Sequence, residues 1–285
     1  MELRRAEFAG SWYPGNREEC LRTIQALEKE CEPCPESQGK PVGGLVPHAG
    51  WYYSGRLACN VIRCLAGSTD PDVCLIFGRH LPPTDIAYIM IQGAWATPLG
   101  ALEIDEEVAQ RIASEYDFVV EDAFNHEPDN TIELQLPFIK YYFPDTKIVP
   151  LGLPPKRFTL SVARRVVQIC SELGRDTVVV GSTDLTHYGY NYGFVPKGAG
   201  QLAVTWVKEE NDRRLIQEVL ELDSEGVIEE ALNHHNACCP VAVAAAIEAA
   251  KALGATEARE VGYYTSYDIR PDTSFVGYVG ILFYA

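Results

Sequence analysis

The sequence lacks clustered positive charge. Its 24 lysines and arginines are outnumbered by 40 aspartates and glutamates, which gives a net charge of −16. Polyanions bind through clustered cations, so this balance argues against nucleic acid and anionic membranes as partners. No stretch approaches the roughly 20 apolar residues of a membrane-spanning helix, and the N-terminal segment lacks the apolar core of a signal peptide. We therefore expect a cytoplasmic protein.

Common catalytic motifs are absent as well. The sequence contains neither the G-x-S-x-G turn of serine hydrolases nor a G-x-x-x-x-G-K or G-x-G-x-x-G phosphate loop. The nine cysteines, without an export signal, are expected to be mostly thiols. The pair in "CEPC" at 31–34 has no second pair at zinc-ribbon distance, so this stretch is interpreted as a surface loop. Four cysteines in apolar segments are interpreted as small buried hydrophobic residues: Cys59, Cys64, Cys74 and Cys170.

What the sequence does contain is a regular alternation of strand and helix patterns. The predicted strands are 42–47, 72–78, 86–92, 147–153, 177–182, 258–267 and 274–284, and the predicted helices are 17–31, 54–67, 105–116, 131–143, 158–173, several within 201–234, and 240–253. Alternation of this kind predicts an α/β fold, a three-layer α/β/α arrangement around a mostly parallel sheet. The last two strands are candidates for an antiparallel pair at one edge. No repeat or linker divides the chain, so we expect one domain over residues 1–285.

Histidine is scarce, and its distribution points to a site. Of only six histidines, His48, His80 and His187 each follow a predicted strand directly, and Asp184 lies three residues before His187. Ligands of open α/β sheets bind outside the carboxyl ends of the strands. Imidazole is the commonest metal ligand, and a neighbouring carboxylate can fix its tautomer. A simple turn closing the strand would explain Asp184 but not His187.

The stretch "HHNACCP" (234–240) concentrates histidine and cysteine. Pro240 and the Ala-rich run that ends at Gly254 predict a helix whose N-cap is Cys239. A helix N-terminus stabilises a thiolate, so Cys239 is a candidate nucleophile or soft metal ligand, and a buried structural cysteine is an equally compatible interpretation. Cys238 is expected to point elsewhere. The spacing disfavours a four-ligand metal site within this stretch alone, and a bond between adjacent cysteines would be strained.

Six segments in this order resemble the Memo family: "FAGSWYPG", "PHAGWYYSG", "IFGRH", "TIELQLPF", "GSTDLTHYG" and "HNACCP". The family includes a eukaryotic mediator of ErbB2-driven cell motility and the prokaryotic component B of the AmmeMemoRadiSam system. The resemblance implies a fold similar to that of class III extradiol dioxygenases. Those enzymes hold non-haem Fe(II) with two histidines and one carboxylate, and the Memo pattern has a cysteine in place of the carboxylate.

The resemblance also implies roles for individual residues. The implied metal ligands are His48, His80 and Cys239; the implied acid/base or supporting groups are Asp184 and His187; the implied pocket residues are Trp12, Tyr53, Asn130 and His235. His234 and Cys238 receive no role. Two segments depart from the family pattern: "GRHL" stands where many relatives have "PSHH", and "DNTIE" (129–133) where many have "EHSIE". Asn130 cannot shuttle a proton as a histidine could.

These implications lead to a metal-dependent oxidoreductase as the expected function. Fe(II) is the expected ion and copper the second choice, because a thiolate makes the site softer than a carboxylate would. A non-catalytic module that binds a metal, a small molecule or a peptide is the first alternative. A zinc enzyme with a bound water is the second, since two histidines, one cysteine and a water form a known catalytic zinc site. A functional link to a radical-SAM protein is implied by the family.

Overall fold

The computed structural model describes residues 2–156 and 158–285. Its strands are β1 (Leu3–Arg4), β2 (Pro41–Val46), β3 (Val73–Gly78), β4 (Ala87–Met90), β5 (Ala94–Trp95), β6 (Leu102–Glu103), β7 (Phe118–Glu121), β8 (Lys147–Gly152), β9 (Thr177–Ser182), β10 (His187–Tyr188), β11 (Glu257–Thr265) and β12 (Phe275–Tyr284).

The helices alternate with these strands. They are α1 (Arg17–Glu30), α2 (Trp51–Ala66), α3 (Glu106–Glu115), α4 (Asn130–Glu133), α5 (Leu136–Tyr142), α6 (Phe158–Glu172), α7 (Gln201–Trp206), α8 (Asp212–Leu220), α9 (Ser224–His234), α10 (Pro240–Ala252) and α11 (Ser266–Ile269). A π-helical turn (Val207–Asn211) joins α7 to α8, and a 3₁₀ turn (Tyr190–Tyr192) follows β10. Among the described residues, no helix is both long and apolar enough to cross a membrane.

One large sheet organises the chain. Its strand order is β10-β12-β2-β9-β3-β8-β4-β7, and β11 pairs with β12. Strands β2, β9, β3 and β8 are parallel neighbours, whereas β12 runs antiparallel to both β2 and β11. The predicted α/β class with a mostly parallel centre is therefore confirmed, as is the antiparallel pairing of the last two strands. Strands β1, β5 and β6 form a separate small sheet.

Helices flank the large sheet. Helix α2 packs on β2 and β12 and is itself covered by α1 and α5, while α10 packs on β9 and β3 and contacts α6 and α9. Every residue of α10 from Val241 to Ala250 is buried, which explains its Ala-rich composition: small side chains let the helix lie close to the strands. At the contact, a Cβ placed on Gly181 would lie 2.6 Å from the Ala246 Cβ. The layered arrangement that the alternation predicted is thus the observed one.

One predicted helix is interrupted. The periodicity over 131–143 predicts a continuous helix, but the structure has two, α4 and α5. Pro137 lacks an amide hydrogen and so cannot donate to the carbonyl four residues earlier, which favours a break before it. The break matters for the site, because α4 begins at Asn130 on the edge where the strand ends lie.

The expected state of one cysteine is wrong. Cys64 is not a free buried thiol but forms a disulfide with Cys34, which joins the exposed "CEPC" loop to α2. The other seven cysteines are free, and Cys59, Cys74 and Cys170 are buried as expected. No spacing motif indicates this bond, because its two partners lie 30 residues apart.

Candidate metal centre and its pocket

Three neighbouring strands deliver the polar side chains of the site. Strands β2, β9 and β3 lie side by side and run parallel, so their carboxyl ends share one edge of the sheet. His48 follows β2, Asp184 follows β9 and His80 follows β3. The rings of His48 and His80 lie 5.0 Å apart and nearly perpendicular. The strand-end pattern in the sequence thus corresponds to real proximity.

A backbone turn places His80. Arg79, directly before it, has a φ of 72°, a conformation that non-glycine residues rarely adopt. The turn is held on both sides, because the Arg79 amide donates to the Thr131 hydroxyl at 2.7 Å and its guanidinium bonds the buried Glu121 at 2.6 Å. Strained backbone of this kind persists where surrounding contacts over-determine it, and such positions cluster at functional sites.

The tautomer of His48 is fixed by a hydrogen-bond chain. The Ser182 hydroxyl donates to the Thr131 carbonyl at 2.7 Å, and His48 Nδ1 lies 3.0 Å from the same hydroxyl oxygen. Because the only proton of that hydroxyl is already donated to the Thr131 carbonyl, Nδ1 must be the donor to the hydroxyl oxygen. The variable proton of His48 is therefore at Nε2, the atom that faces the other candidate ligands.

Four side chains bring donor atoms together below these strand ends. One nitrogen each from His48 and His80 and the sulfurs of Cys238 and Cys239 all lie within 4.8 Å of one another. Cys238 Sγ lies 3.2 Å from His48 Nε2, and Cys239 Sγ lies 3.2 Å from His80 Nδ1. Imidazole nitrogen and thiolate sulfur are the donors that zinc, copper and iron take in proteins. The donor set therefore fits a transition-metal ion.

The structure overturns the expectation that Cys238 points away from the site. Its sulfur accepts a hydrogen bond from the Asp184 amide at 3.3 Å and contacts His48. Burial opposes ionisation of this thiol, but the hydrogen bond with Cys239 and the nearby imidazoles prevail and lower the pKa of Cys238 well below its ordinary value. Cys238 is thus the better thiolate of the pair.

The expected stabilisation of a Cys239 thiolate by the helix N-terminus is also wrong. Cys239 is the N-cap of α10 as predicted, but its side chain makes no capping hydrogen bond. Burial and the neighbouring Cys238 raise the pKa of Cys239 well above its ordinary value. The dipole of a helix N-terminus is a modest effect, and here desolvation outweighs it.

His48 and Asp184 are both buried and lie in contact. Asp184 Oδ1 accepts the His48 amide at 2.8 Å, and Oδ2 lies 4.0 Å from His48 Nε2. Burial opposes protonation of His48, yet the charges of Cys238 and Asp184 raise the pKa of His48 to about 9. Burial in turn raises the pKa of Asp184. Asp184 therefore supports His48 through both its amide and its ring.

His187 is oriented by the backbone instead. Its Nδ1 lies 3.1 Å from the Leu185 carbonyl, which can only accept, so Nδ1 carries a proton. Its ring packs edge-on against Tyr192 at 4.9 Å between centroids. Nε2 is then the atom available to a ligand.

A cavity of about 710 Å³ lies over the histidines. It is lined by Trp12, Tyr53, Asn130, Asp184, His187 and Tyr192 together with His48 and His80. Trp12 is 42% exposed, and together with Tyr53 it contributes aromatic surface to the cavity wall. Asn130 has a structural contact as well, since its amide nitrogen donates to the His48 carbonyl at 3.2 Å.

His235 does not belong to this pocket. It is the C-cap of α9, with a φ of 53°, and its exposed ring packs against Phe194 at 5.5 Å. The left-handed backbone at His235 ends α9 directly before the loop that carries the two cysteines. His234, given no role, has its Nδ1 3.4 Å from a carboxylate oxygen of Glu230 on α9.

Sequence reasoning missed three residues of the site. Ser182 is the last residue of β9, and its position in the same segment as Asp184 was the available signal. No such signal marked Cys238, because the predicted N-cap of the following helix is the adjacent Cys239. Arg270 also lines the cavity and lies far from every motif in the sequence.

The fold and the site together define a class of protein. It is an α/β protein with a cluster of imidazole and thiolate donors at the carboxyl edge of its parallel strands. The Memo family model, described as Memo-like protein, matches residues 4–282. The chain therefore belongs to the Memo family. A MEMO1 family protein of Pyrococcus furiosus is 34% identical over 98% of both chains, and one of Thermococcus onnurineus is 35% identical over 99% of both.

A third relative and one solved structure extend the comparison. A MEMO1 family protein of Pyrobaculum aerophilum is 34% identical over the full length of both chains. The crystal structure of an uncharacterized protein from Escherichia coli K12 superposes with a TM-score of 0.55 at 9% identity, covering 84% of this chain and 98% of the other. At that identity the likeness concerns the fold alone.

Proposed function

We propose that this protein is a metal-dependent oxidoreductase that acts on a small ligand bound in the cavity above its histidines. The observation that carries the proposal is the convergence of imidazole and thiolate donors, because the two histidines of this cluster also line an open cavity with aromatic walls. Fe(II) is the proposed ion and copper the second choice. The likeness of the Memo pattern to extradiol dioxygenases supports the reaction class.

In this proposal His48, His80 and Cys238 hold the ion. His48 Nε2 already faces Cys238 Sγ, and the Ser182 hydroxyl keeps the Nδ1 proton away from that face. A redox-active ion held there would supply Lewis acidity and one-electron chemistry. Cys238 replaces Cys239 as the primary sulfur ligand, because Cys238 is the cysteine whose sulfur contacts the buried His48.

The remaining pocket residues bind the ligand and move protons. His187 presents Nε2 to the cavity while its Nδ1 proton is held by the Leu185 carbonyl, so it can accept or release a proton at one defined atom. Trp12 and Tyr53 offer aromatic faces to a planar ligand. Asp184 keeps the His48 backbone in place and holds negative charge near its ring.

The test is metal analysis followed by a screen for oxygen consumption. Protein purified anaerobically is expected to hold about one iron or copper ion per chain, and His48→Ala is expected to lose it. The control is His234→Ala, which removes a histidine outside the cavity. The loaded protein is then supplied with catechols and other small aromatic compounds. A wild-type protein that binds no transition metal would refute the proposal.

A second candidate is a module that binds a metal without catalysis. The presence of a fourth donor, Cys239, favours it, because four protein ligands can close a tetrahedral site. The same screen separates the two candidates: stoichiometric metal without turnover of any ligand supports the module. The zinc-enzyme alternative predicts zinc in the purified protein and turnover without oxygen consumption.

The proposal also covers the ligand, the partners and the location of the protein. A small molecule or a peptide is the proposed ligand, and a functional link to a radical-SAM protein follows from the family resemblance. The net charge of −16 argues against nucleic acid as a partner. A cytoplasmic location is proposed on the composition of the chain.

A further inference from the structure

We propose that Cys239 is a second thiolate ligand, so that two adjacent cysteines and two histidines bind one ion. This inference rests on the proposed metal function and specifies its ligand set. A site with one cysteine would leave Cys239 as a buried neighbour. The contacts of its sulfur with Cys238 and His80 assign it to the ion instead.

The distance between the two sulfurs fits joint ligation. Cys238 Sγ and Cys239 Sγ lie 3.7 Å apart. Two thiolates bound tetrahedrally to one ion with bonds of about 2.3 Å are separated by about 3.8 Å. Adjacent cysteines can point in different directions, so this spacing is a specific property of the loop. It is also too long for a bond between the two sulfurs.

Each of the two sulfurs contacts an imidazole nitrogen. Cys238 Sγ contacts His48 Nε2, and Cys239 Sγ contacts His80 Nδ1, both at 3.2 Å. Since all four donor atoms lie within 4.8 Å of one another, they are close enough to share one ion. A cysteine present only for packing has no reason to contact an imidazole nitrogen.

The backbone holds Cys239 in this position. Its amide donates to the Thr183 hydroxyl at 3.2 Å, and the Cys238 amide donates to the Asp184 carbonyl at 3.1 Å. Pro240 starts α10 directly afterwards and restricts the residue before it. The loop after β9 therefore clamps both cysteines.

Other buried cysteines provide a contrast. Cys20 and Cys74 are 0% exposed and belong to the apolar core. For both, burial alone is what raises the thiol pKa. Cys239 is comparably buried at 3% but faces an imidazole and another sulfur. Burial is shared by all three residues, whereas the arrangement of donor atoms is particular to Cys239.

Two thiolates change which ion the site prefers. Sulfur ligands favour Cu(I) and Zn(II) over Fe(II), and an S₂N₂ set favours tetrahedral geometry. An ion held by four protein donors could take a ligand from the cavity only by expanding to five-coordination, as catalytic zinc does. Copper would then replace iron as the redox-active ion of the proposed function.

The absorbance of bound cobalt(II) measures how many thiolates bind the ion. Co²⁺ added to the anaerobic, metal-free protein produces a sulfur-to-cobalt charge-transfer band in the near ultraviolet whose intensity scales with the number of thiolates. Cys239→Ser is expected to lose about half of this absorbance per bound ion, and so is Cys238→Ser. Cys31→Ser, which alters a free cysteine at the end of α1, is the matched control and should lose none. Unchanged absorbance in Cys239→Ser would overturn the inference.

X-ray absorption on the wild-type protein avoids the variants altogether. Zinc-loaded protein is expected to show two sulfur atoms at about 2.3 Å from the ion. One sulfur per zinc would overturn the inference and leave the proposed metal function standing. Failure of the wild-type chain to bind Co²⁺ or Zn²⁺ at all would instead refute the proposed function, and this inference with it.

Discussion

His48 Nδ1 lies 3.0 Å from the hydroxyl oxygen of Ser182, whose own proton is donated to the Thr131 carbonyl. This chain of hydrogen bonds connects β9 and α4 to His48, which follows β2. It makes the orientation of the His48 ring a property of the fold, because each member is buried and has a defined donor or acceptor role. Ser182 therefore acts on the candidate metal centre through His48.

Ser182→Ala is expected to weaken metal binding while leaving the chain folded. Loss of the partner that orients a ligating histidine typically costs about 10- to 100-fold in metal affinity. Competition with a chromophoric chelator measures the change. Ser161→Ala is the matched control, since its hydroxyl also donates to a carbonyl but lies on α6. Equal affinities for the two variants would contradict the role of Ser182.

His187→Gln is expected to separate metal binding from turnover. His187 is not among the clustered donors, so the variant should bind the metal with wild-type stoichiometry. Removal of a proton-transferring group typically costs about 10²- to 10⁴-fold in rate. Oxygen consumption with the substrate found in the screen measures this loss. A variant that retains full turnover would leave His187 without a role in proton transfer.

Part of the site could be predicted because it follows from the sheet. Hydrophobic runs bounded by turns identify β2, β3 and β9, and parallel strands bring their carboxyl ends to one edge, so His48 and His80 were expected to meet. The family resemblance pointed to the same residues. Trp12, Tyr53 and Asn130, named on that resemblance, do line the cavity.

The direction of Cys238 could not be predicted. It lies in an irregular loop whose path depends on a left-handed turn at His235 and on hydrogen bonds to Thr183 and Asp184, which are remote in sequence. Strands β1, β5 and β6 are two residues long each, too short for periodicity to reveal. In both cases tertiary contacts determine the local structure.

Cys34→Ser is expected to destabilise the chain through loss of the bond to Cys64. The disulfide closes a loop of 30 residues, for which the chain-entropy relation gives about 3–4 kcal/mol. Urea unfolding measures the difference, and Cys31→Ser, nearby in sequence but outside the bond, is the control. A reducing agent should bring the wild-type protein to the stability of the variant. Identical unfolding curves without reductant would show that the bond contributes nothing.

Asp212 is expected to make stability fall as pH rises from about 4 to 6. It is fully buried at the start of α8 and accepts hydrogen bonds from the Thr186 amide and the Tyr263 hydroxyl. Burial is the main reason that its pKa is raised from 3.8 to about 6. The folded chain thus holds this proton more tightly than the unfolded chain. The stabilisation is complete below pH 3.8 and is lost as pH rises through about 6.

The Asp212→Asn variant tests this directly. Raising the pKa of Asp212 from 3.8 to about 6 corresponds to about 3 kcal/mol. The stability of the variant relative to wild type should therefore rise by an amount of that order between about pH 4 and 7. The comparison is made from urea unfolding at several pH values. Asparagine keeps an acceptor for the Thr186 amide, so the change isolates the charge. A difference between the two proteins that stays constant over this range would show that Asp212 does not titrate there.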